Sequence, residues 1–377
     1  MITIFLPHLK RHLTNARYIA SLPYTWNPSN NTLKPVNSPR VKKFLRFSMI
    51  SQVIYAILQL VLVPLSGHPI GNKLLAMVFT SIYFCGLAFR WNVKLDLIAM
   101  HLLNTFLKFE PQYAAGLTYK KTTTDRILSL LLPLIVFSCW IVSLGAGIIV
   151  LLFPCIPPFL GSMLPTCRSN TPIPPCWEIR ILFAALDAVM LQQVCISAAF
   201  YLTQVLIGTI VHIWNYLIIL TTWTKSGTKS NQDLVTWYKQ LQIITILGNT
   251  CNQKRIFPAA AIGLPSIEFF TFFVCVKLHD SLTGIEVAFF FLIFLNVVAF
   301  NMTVFLAASK VFSCSEGVLQ MWRREWKSAR KSEMRRVLRA LEPLKIKFNL
   351  NFVENNTPLV IQDVCSRQTI GSLLIVG

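Results

Sequence analysis

Seven stretches of this chain run apolar for the length of a bilayer crossing, and polar residues gather in the segments between them. Taking ~20 residues as the reach of a membrane-crossing helix, the blocks fall at 44–65, 72–90, 127–153, 180–208, 256–277, 285–308 and 357–377. Inside each block the apolar residues are near-continuous and do not recur on one face, which predicts an all-α, polytopic membrane protein. The third and fourth blocks exceed the need and are expected to tilt or to run past the bilayer. The sixth, IEVAFFFLIFLNVVAFNMTVFLAA, is the most uniform. The seventh contains DVCSRQTIGSLLIVG, with Asp363, Arg367 and Gln368 near its middle. Such groups are costly in lipid and should face protein or water. No internal repeat relates the two halves.

The polar segments give an orientation. With the N-terminus inside, segments 1–43, 91–126, 209–255 and 309–356 hold 28 Lys and Arg, against Arg168 alone in the connections 66–71, 154–179 and 278–284. Positive charge collects on the cytoplasmic side, so the N-terminus is expected there and, after seven spans, the C-terminus outside. The sequon at Asn30–Thr32 argues the other way, but a tripeptide weighs little against that asymmetry. A G-protein-coupled receptor has the reverse orientation, and no D-R-Y or N-P-x-x-Y pattern occurs. A secondary transporter predicts repeated halves and broken midplane helices, for which Pro265 is the one hint. The expected division is a cytoplasmic segment 1–43, a six-helix transmembrane region 44–308, a basic cytoplasmic anchor helix 309–356 and a last transmembrane helix 357–377.

Composition agrees with a membrane location: 54% of residues are hydrophobic and 13% charged, with a mean hydropathy of +0.57. A soluble domain carries about 25% charged residues. The net charge of +20 sits beside the spans, facing membrane lipid. Neither basic region carries a nucleic-acid motif, so no nucleic-acid partner is expected. No secretory leader is visible, and the first span is expected to serve as a signal anchor.

Catalytic constellations are missing from the sequence. The six histidines form no HxxxH or HExxH pair, and there is no GxSxG, Walker loop or CxxC, so no enzyme, metal or cofactor chemistry is expected. Cys155, Cys167 and Cys176 lie in the Pro-rich outer segment, where a disulfide is plausible but the pairing is open. Polar residues inside spans mark candidate sites. Gln192, Gln193, Asn296 and Asn301 suit interhelical hydrogen bonds. Asp187 and Glu268, in the outer halves of spans four and five, are candidates for a small-molecule pocket lined by Phe183, Phe269 and Phe270. On a helical wheel of the last span, Gln362, Ser366, Thr369 and Leu373 form a stripe suited to a pore wall, with an apolar constriction near Leu373. Asp363 and Arg367, four apart, form an ion pair beside it. One helix cannot enclose a pore, so several subunits around an axis are required. Before this span, Leu319, Trp322, Trp326, Met334, Val337, Leu338 and Leu341 recur at helical steps among basic residues, an amphipathic pattern ended near Pro343.

These last segments carry a resemblance. Arg339-Ala-Leu-Glu-Pro343-Leu344-Lys-Ile-Lys is similar to the R-x-x-R-P-L segment of insect odorant receptors, with Glu342 in place of the basic residue. Thr369 and the apolar run to Gly377 resemble the T-Y-h-h-h-h-h-Q-F ending of gustatory receptors, with Ile370, Val376 and Gly377 departing from it. The chain thus resembles the insect (arthropod) odorant and gustatory receptor superfamily. The resemblance implies a plasma-membrane ligand-gated cation channel, a homo- or hetero-tetramer with a related receptor or co-receptor. Cytoplasmic helices would form the main intersubunit contact, and the last helix would line a central pore. A pocket for a small-molecule odorant or tastant would lie in the outer half of each subunit.

Overall fold

The computed structural model describes residues 2–65, 70–91, 96–113, 123–164, 167, 176–325 and 332–376. Helices occupy all seven apolar blocks: α2 (Pro39–Leu65), α3 (Ile70–Arg90), α5 (Thr123–Leu152), α6 (Trp177–Ser226), α7 (Asn231–Lys277), α8 (Gly284–Glu325) and α10 (Thr357–Val376). By length and composition α2, α5, α6, α7 and α8 can cross a membrane; α3 is apolar over its shorter stretch Leu75–Arg90. Apolar side chains left open on α2 and α5, among them Ile50, Ile54, Leu130, Phe137 and Leu144, identify lipid-facing surfaces in a helical membrane protein. Lipid offers no hydrogen bonds, so helices supply their own. Helix α6 is enclosed on every side along its most apolar stretch, while its first turns leave Ile181, Leu182 and Val189 exposed.

Three helices outrun the blocks read from hydropathy. Most of segment 209–255 continues α6 and α7, and 309–325, expected to open a separate anchor helix, continues α8; α6 alone spans 50 residues, about 75 Å at 1.5 Å per residue. The boundary drawn at residue 308 therefore falls inside one helix, α8. The turn between α6 and α7 has local causes. Gly227 adopts φ 65° just past α6, as a C-terminal cap requires. The Ser230 side chain then caps α7 by accepting from the Asp233 N–H at 3.2 Å. Helix α8 opens on a reciprocal box, with Glu286 accepting from the Thr283 N–H and hydroxyl, both at 2.8 Å.

The extensions form an anchor end with α4 (Leu97–Tyr113), and that end is dense with aromatics. The His212 ring lies 4.6 Å from Phe5 and 5.0 Å from Phe106; Trp237 lies 5.1 Å from Phe109 and 5.0 Å from Trp223. Trp322 is fully buried and donates to Thr224 at 3.0 Å. The Pro343 segment runs along α7 as extended chain. Glu342 O accepts from the Tyr238 hydroxyl at 2.8 Å, and Asn249 exchanges hydrogen bonds with Lys345 O and Lys347 N at 2.8 and 2.9 Å. Beyond α8 the short helix α9 (Ser332–Ala340) buries Leu338; Trp326 and Arg168 lie outside the described residues.

The N-terminal segment has more structure than hydropathy suggested. Helix α1 (Ile2–Tyr18) buries Phe5, Leu9, Leu13 and Ala16, one face at three- and four-residue steps. A hairpin follows, β1 (Tyr24–Asn27) with β2 (Thr32–Pro35). Asn104 of α4 fastens it, accepting from Leu33 N at 2.8 Å and donating to Leu33 O at 3.0 Å.

Candidate functional site

At the end of the bundle opposite the anchor, residues 153–164 fold over α2, α3 and α6. Cys155 and Cys167 are joined as a disulfide and Cys176 is free. Asp187 is fully buried beneath this loop. Its carboxylate accepts from the Tyr55 hydroxyl at 2.7 Å and from the Leu160 N–H at 3.2 Å, so it ties loop to bundle. Phe183 packs partly buried on the core beside it.

Glu268 is buried on α7 and also faces protein. Its Oε2 accepts from Asn301 of α8 at 2.5 Å and from Gln362 of α10 at 3.4 Å. One carboxylate thus joins three helices, a geometry that helical spacing could not reveal. Phe269 and Phe270 pack with tilted rings, their centres 4.9 Å apart. Phe270 also borders a wide groove between α2, α3 and α7 that runs past Ile57, Phe84 and Trp91. Of the five residues singled out for a ligand pocket, none borders the mid-bundle cavity between α3, α5, α6, α7 and α8.

That cavity, of about 140 Å³, lies midway along the helices, where α3, α5, α6, α7 and α8 converge. Small side chains open it: Gly86, Ala198 and Ala199, with Val194, Leu264, Ile267 and Phe300 around them. Helix α6 is π-helical from Phe200 to Ile207, directly after Ala199, and such widened turns recur at functional sites. Nothing in the sequence marks that turn, since it contains neither Gly nor Pro. The walls are apolar apart from thiols, Ser138 and Asn296. The Ser138 hydroxyl and Asn296 Nδ2 donate back to Ile135 O and Leu292 O of their own helices, at 2.9 and 2.7 Å. Their oxygens stay open as acceptors, which suits a mainly apolar guest carrying one hydroxyl.

Helix α7 connects this cavity to the last helix. Leu264 and Ile267 border the cavity, while the neighbouring Pro265 O accepts from the Cys365 thiol at 3.9 Å and Glu268 reaches Gln362. On α10 the four residues of the expected pore stripe differ in exposure. Thr369 is buried and Gln362 points to Glu268, so two of the four residues assigned to the pore wall turn toward their own bundle. Ser366 is exposed and Leu373 half-buried. The open face carries Leu359, Asp363, Ser366, Arg367 and Ile370, and Arg367 Nε donates to Asp363 Oδ1 at 2.9 Å as four-residue spacing predicts. Glu268 gives half-buried Gln362 a partner within its own bundle.

The arrangement has a counterpart among solved structures. The insect olfactory receptor OR5 from Machilis hrabei superposes with a TM-score of 0.66 at 14% identity, over 97% of both chains. This chain has an insect olfactory receptor fold. The same receptor in complex with eugenol superposes at 0.70, with 13% identity and again 97% of both chains. No family model matches the sequence, and no curated protein does either. At this identity the olfactory-receptor fold is common to both while most side chains differ, so the residues above rest on their own geometry. Among the described residues no His, Cys, Asp and Glu side chains cluster to hold a metal ion.

Proposed function

We propose that this chain is a chemosensory receptor of the insect odorant and gustatory superfamily: one subunit of a tetrameric, ligand-gated cation channel in the plasma membrane. It crosses the membrane seven times, with its N-terminus inside and its C-terminus outside. The charge asymmetry of the loops supports that orientation. So does the Cys155–Cys167 disulfide, since such bonds persist in oxidising compartments. The observation that carries the reading is the placement of α7, with Leu264 and Ile267 on the mid-bundle cavity and Pro265 and Glu268 on the last helix. A guest that shifts α7 moves the contact to α10, and four copies of α10 around an axis line the pore. The ligand is a small, mainly apolar molecule with one hydroxyl accepted by Asn296 or Ser138.

The test is cation current in cells expressing the chain, alone and with a related receptor, on application of apolar odorants with eugenol as the first probe. Ala198→Trp fills the cavity and is expected to abolish responses while leaving surface expression intact. Unaltered dose–response curves in that variant would refute the cavity assignment. Epitope tags at the two ends, with only the C-terminal one accessible in intact cells, check the topology.

A further inference from the structure

A second cavity, of about 100 Å³, lies where the start of α2 meets the end of α3, next to the N-terminal hairpin. Ser21, Lys42, Arg46, Met49, Arg90 and Tyr201 line it. Arg90, the last residue of α3, is only 6% exposed. Its guanidinium donates to Gln52 Oε1 at 2.6 Å and to Ser48 Oγ at 3.4 Å; both partners are neutral, and among the described residues no carboxylate pairs with it. A guanidinium stays charged in proteins, and a buried cation without a counter-charge is strongly unfavourable. The two other basic residues on the cavity, Lys42 and Arg46, stand one helical turn apart on α2 and add to the same field. Ser21 is 1% exposed, and its hydroxyl has no hydrogen-bond partner among the described residues.

We propose that this cavity binds the phosphate of an anionic phospholipid headgroup. Arg90 supplies the buried donor fork that matches phosphate oxygens, Lys42 and Arg46 close over it from the surface, and Ser21 provides a hydroxyl. The volume suits one tetrahedral oxyanion with few waters, a water in bulk taking about 30 Å³. A lipid is favoured over a soluble phosphate by what continues beyond the cavity. Phe47, Ile50 and Ile54 stand exposed along one face of α2, at three- and four-residue steps, and offer acyl chains a path from the headgroup into the bilayer. The site rests on the proposed topology in one respect: it lies at the cytoplasmic end of α2, facing the leaflet where anionic lipids concentrate.

Native mass spectrometry of the full-length receptor in detergent tests this with dioleoyl phosphatidic acid, dioleoyl phosphatidylcholine, and inorganic phosphate with glycerol 3-phosphate. Phosphatidic acid should be retained in preference to phosphatidylcholine. The surface variant Lys42→Gln/Arg46→Gln should weaken its retention about thirtyfold, each basic residue being worth about fivefold at an anionic surface. Arg90→Gln should abolish the preference, and the surface variant decides the matter if Arg90→Gln does not fold. Soluble phosphates binding as tightly as phosphatidic acid would overturn the lipid assignment. Equal retention of both lipids, or full retention by the double variant, would overturn the site. The measurement needs no current and no tetramer, so its failure is separable from a failure of the channel reading, which the terminal tags and odorant responses report.

Discussion

Gly86 on α3 meets α6 so closely that a single methyl group tests the packing of the cavity wall. A Cβ at position 86 would lie 2.1 Å from Cγ1 of Val194 and 3.5 Å from its Cβ. Carbon atoms pack at about 3.5–4.0 Å, so Gly86→Ala must push the two helices apart or force Val194 out of its rotamer. Overpacking of this kind costs about 1–3 kcal/mol, of which the better helix propensity of Ala returns up to about 1 kcal/mol. A net loss of about 1–2 kcal/mol is expected, read as a fall of a few degrees in the unfolding midpoint of the purified receptor in a fixed detergent. Val194→Ala alone removes two methyl groups, costing about 1–2 kcal/mol. Because it deletes the colliding atom, the double variant should be no less stable than Val194→Ala. That corresponds to a coupling of about 1 kcal/mol or more between residues in contact. Both residues line the cavity, so Val194→Ala should also extend the response to bulkier odorants. Additive losses, or a Gly86→Ala variant that unfolds like wild type, would show that α3 and α6 do not touch at this level.

Asp187→Ala should lower stability by about 1–3 kcal/mol, because the Leu160 N–H loses its buried acceptor while the Tyr55 hydroxyl keeps Pro158 O at 3.4 Å; an unchanged unfolding midpoint would sink its role as the loop anchor. Burial pushes His12 from 6.5 down to about 4, so the unfolded chain takes up its proton first as the solution is acidified. The stability held by neutral His12 is complete above about pH 6.5 and drains away toward pH 4, on the order of 3 kcal/mol in all. His12→Gln should flatten that slope between pH 7.5 and 5. In a Cys365→Ser background, Ser366→Cys should react with a charged thiol reagent and block current while Thr369→Cys stays protected, since Thr369 is 2% exposed; equal reaction at both positions would restore the wheel-based pore face.

Where the chain is apolar for the length of a bilayer was written in its residues, because lipid and water sort side chains without reference to partners. The seven blocks all lie in helices, the Asp363–Arg367 pair follows from one helical turn, and Leu319 and Trp322 proved to be the buried stripe of α8. The direction in which each helix faces was another matter. Helix α6 is apolar all round, so no periodicity says which side meets a cavity, and the π-helical stretch after Ala199 has no composition of its own. Polar residues misled for a related reason. Asp187, Glu268 and Gln362 looked like residues waiting for ligand or water, yet each finds its partner on a segment far along the chain: Tyr55, Asn301 and Glu268. Whether a buried polar group is satisfied depends on which distant donor arrives within 3 Å or so, and only the packed bundle decides that. The same holds for Arg90, an unremarkable helix-end arginine in sequence, which tertiary structure encloses at a cavity wall among neutral partners.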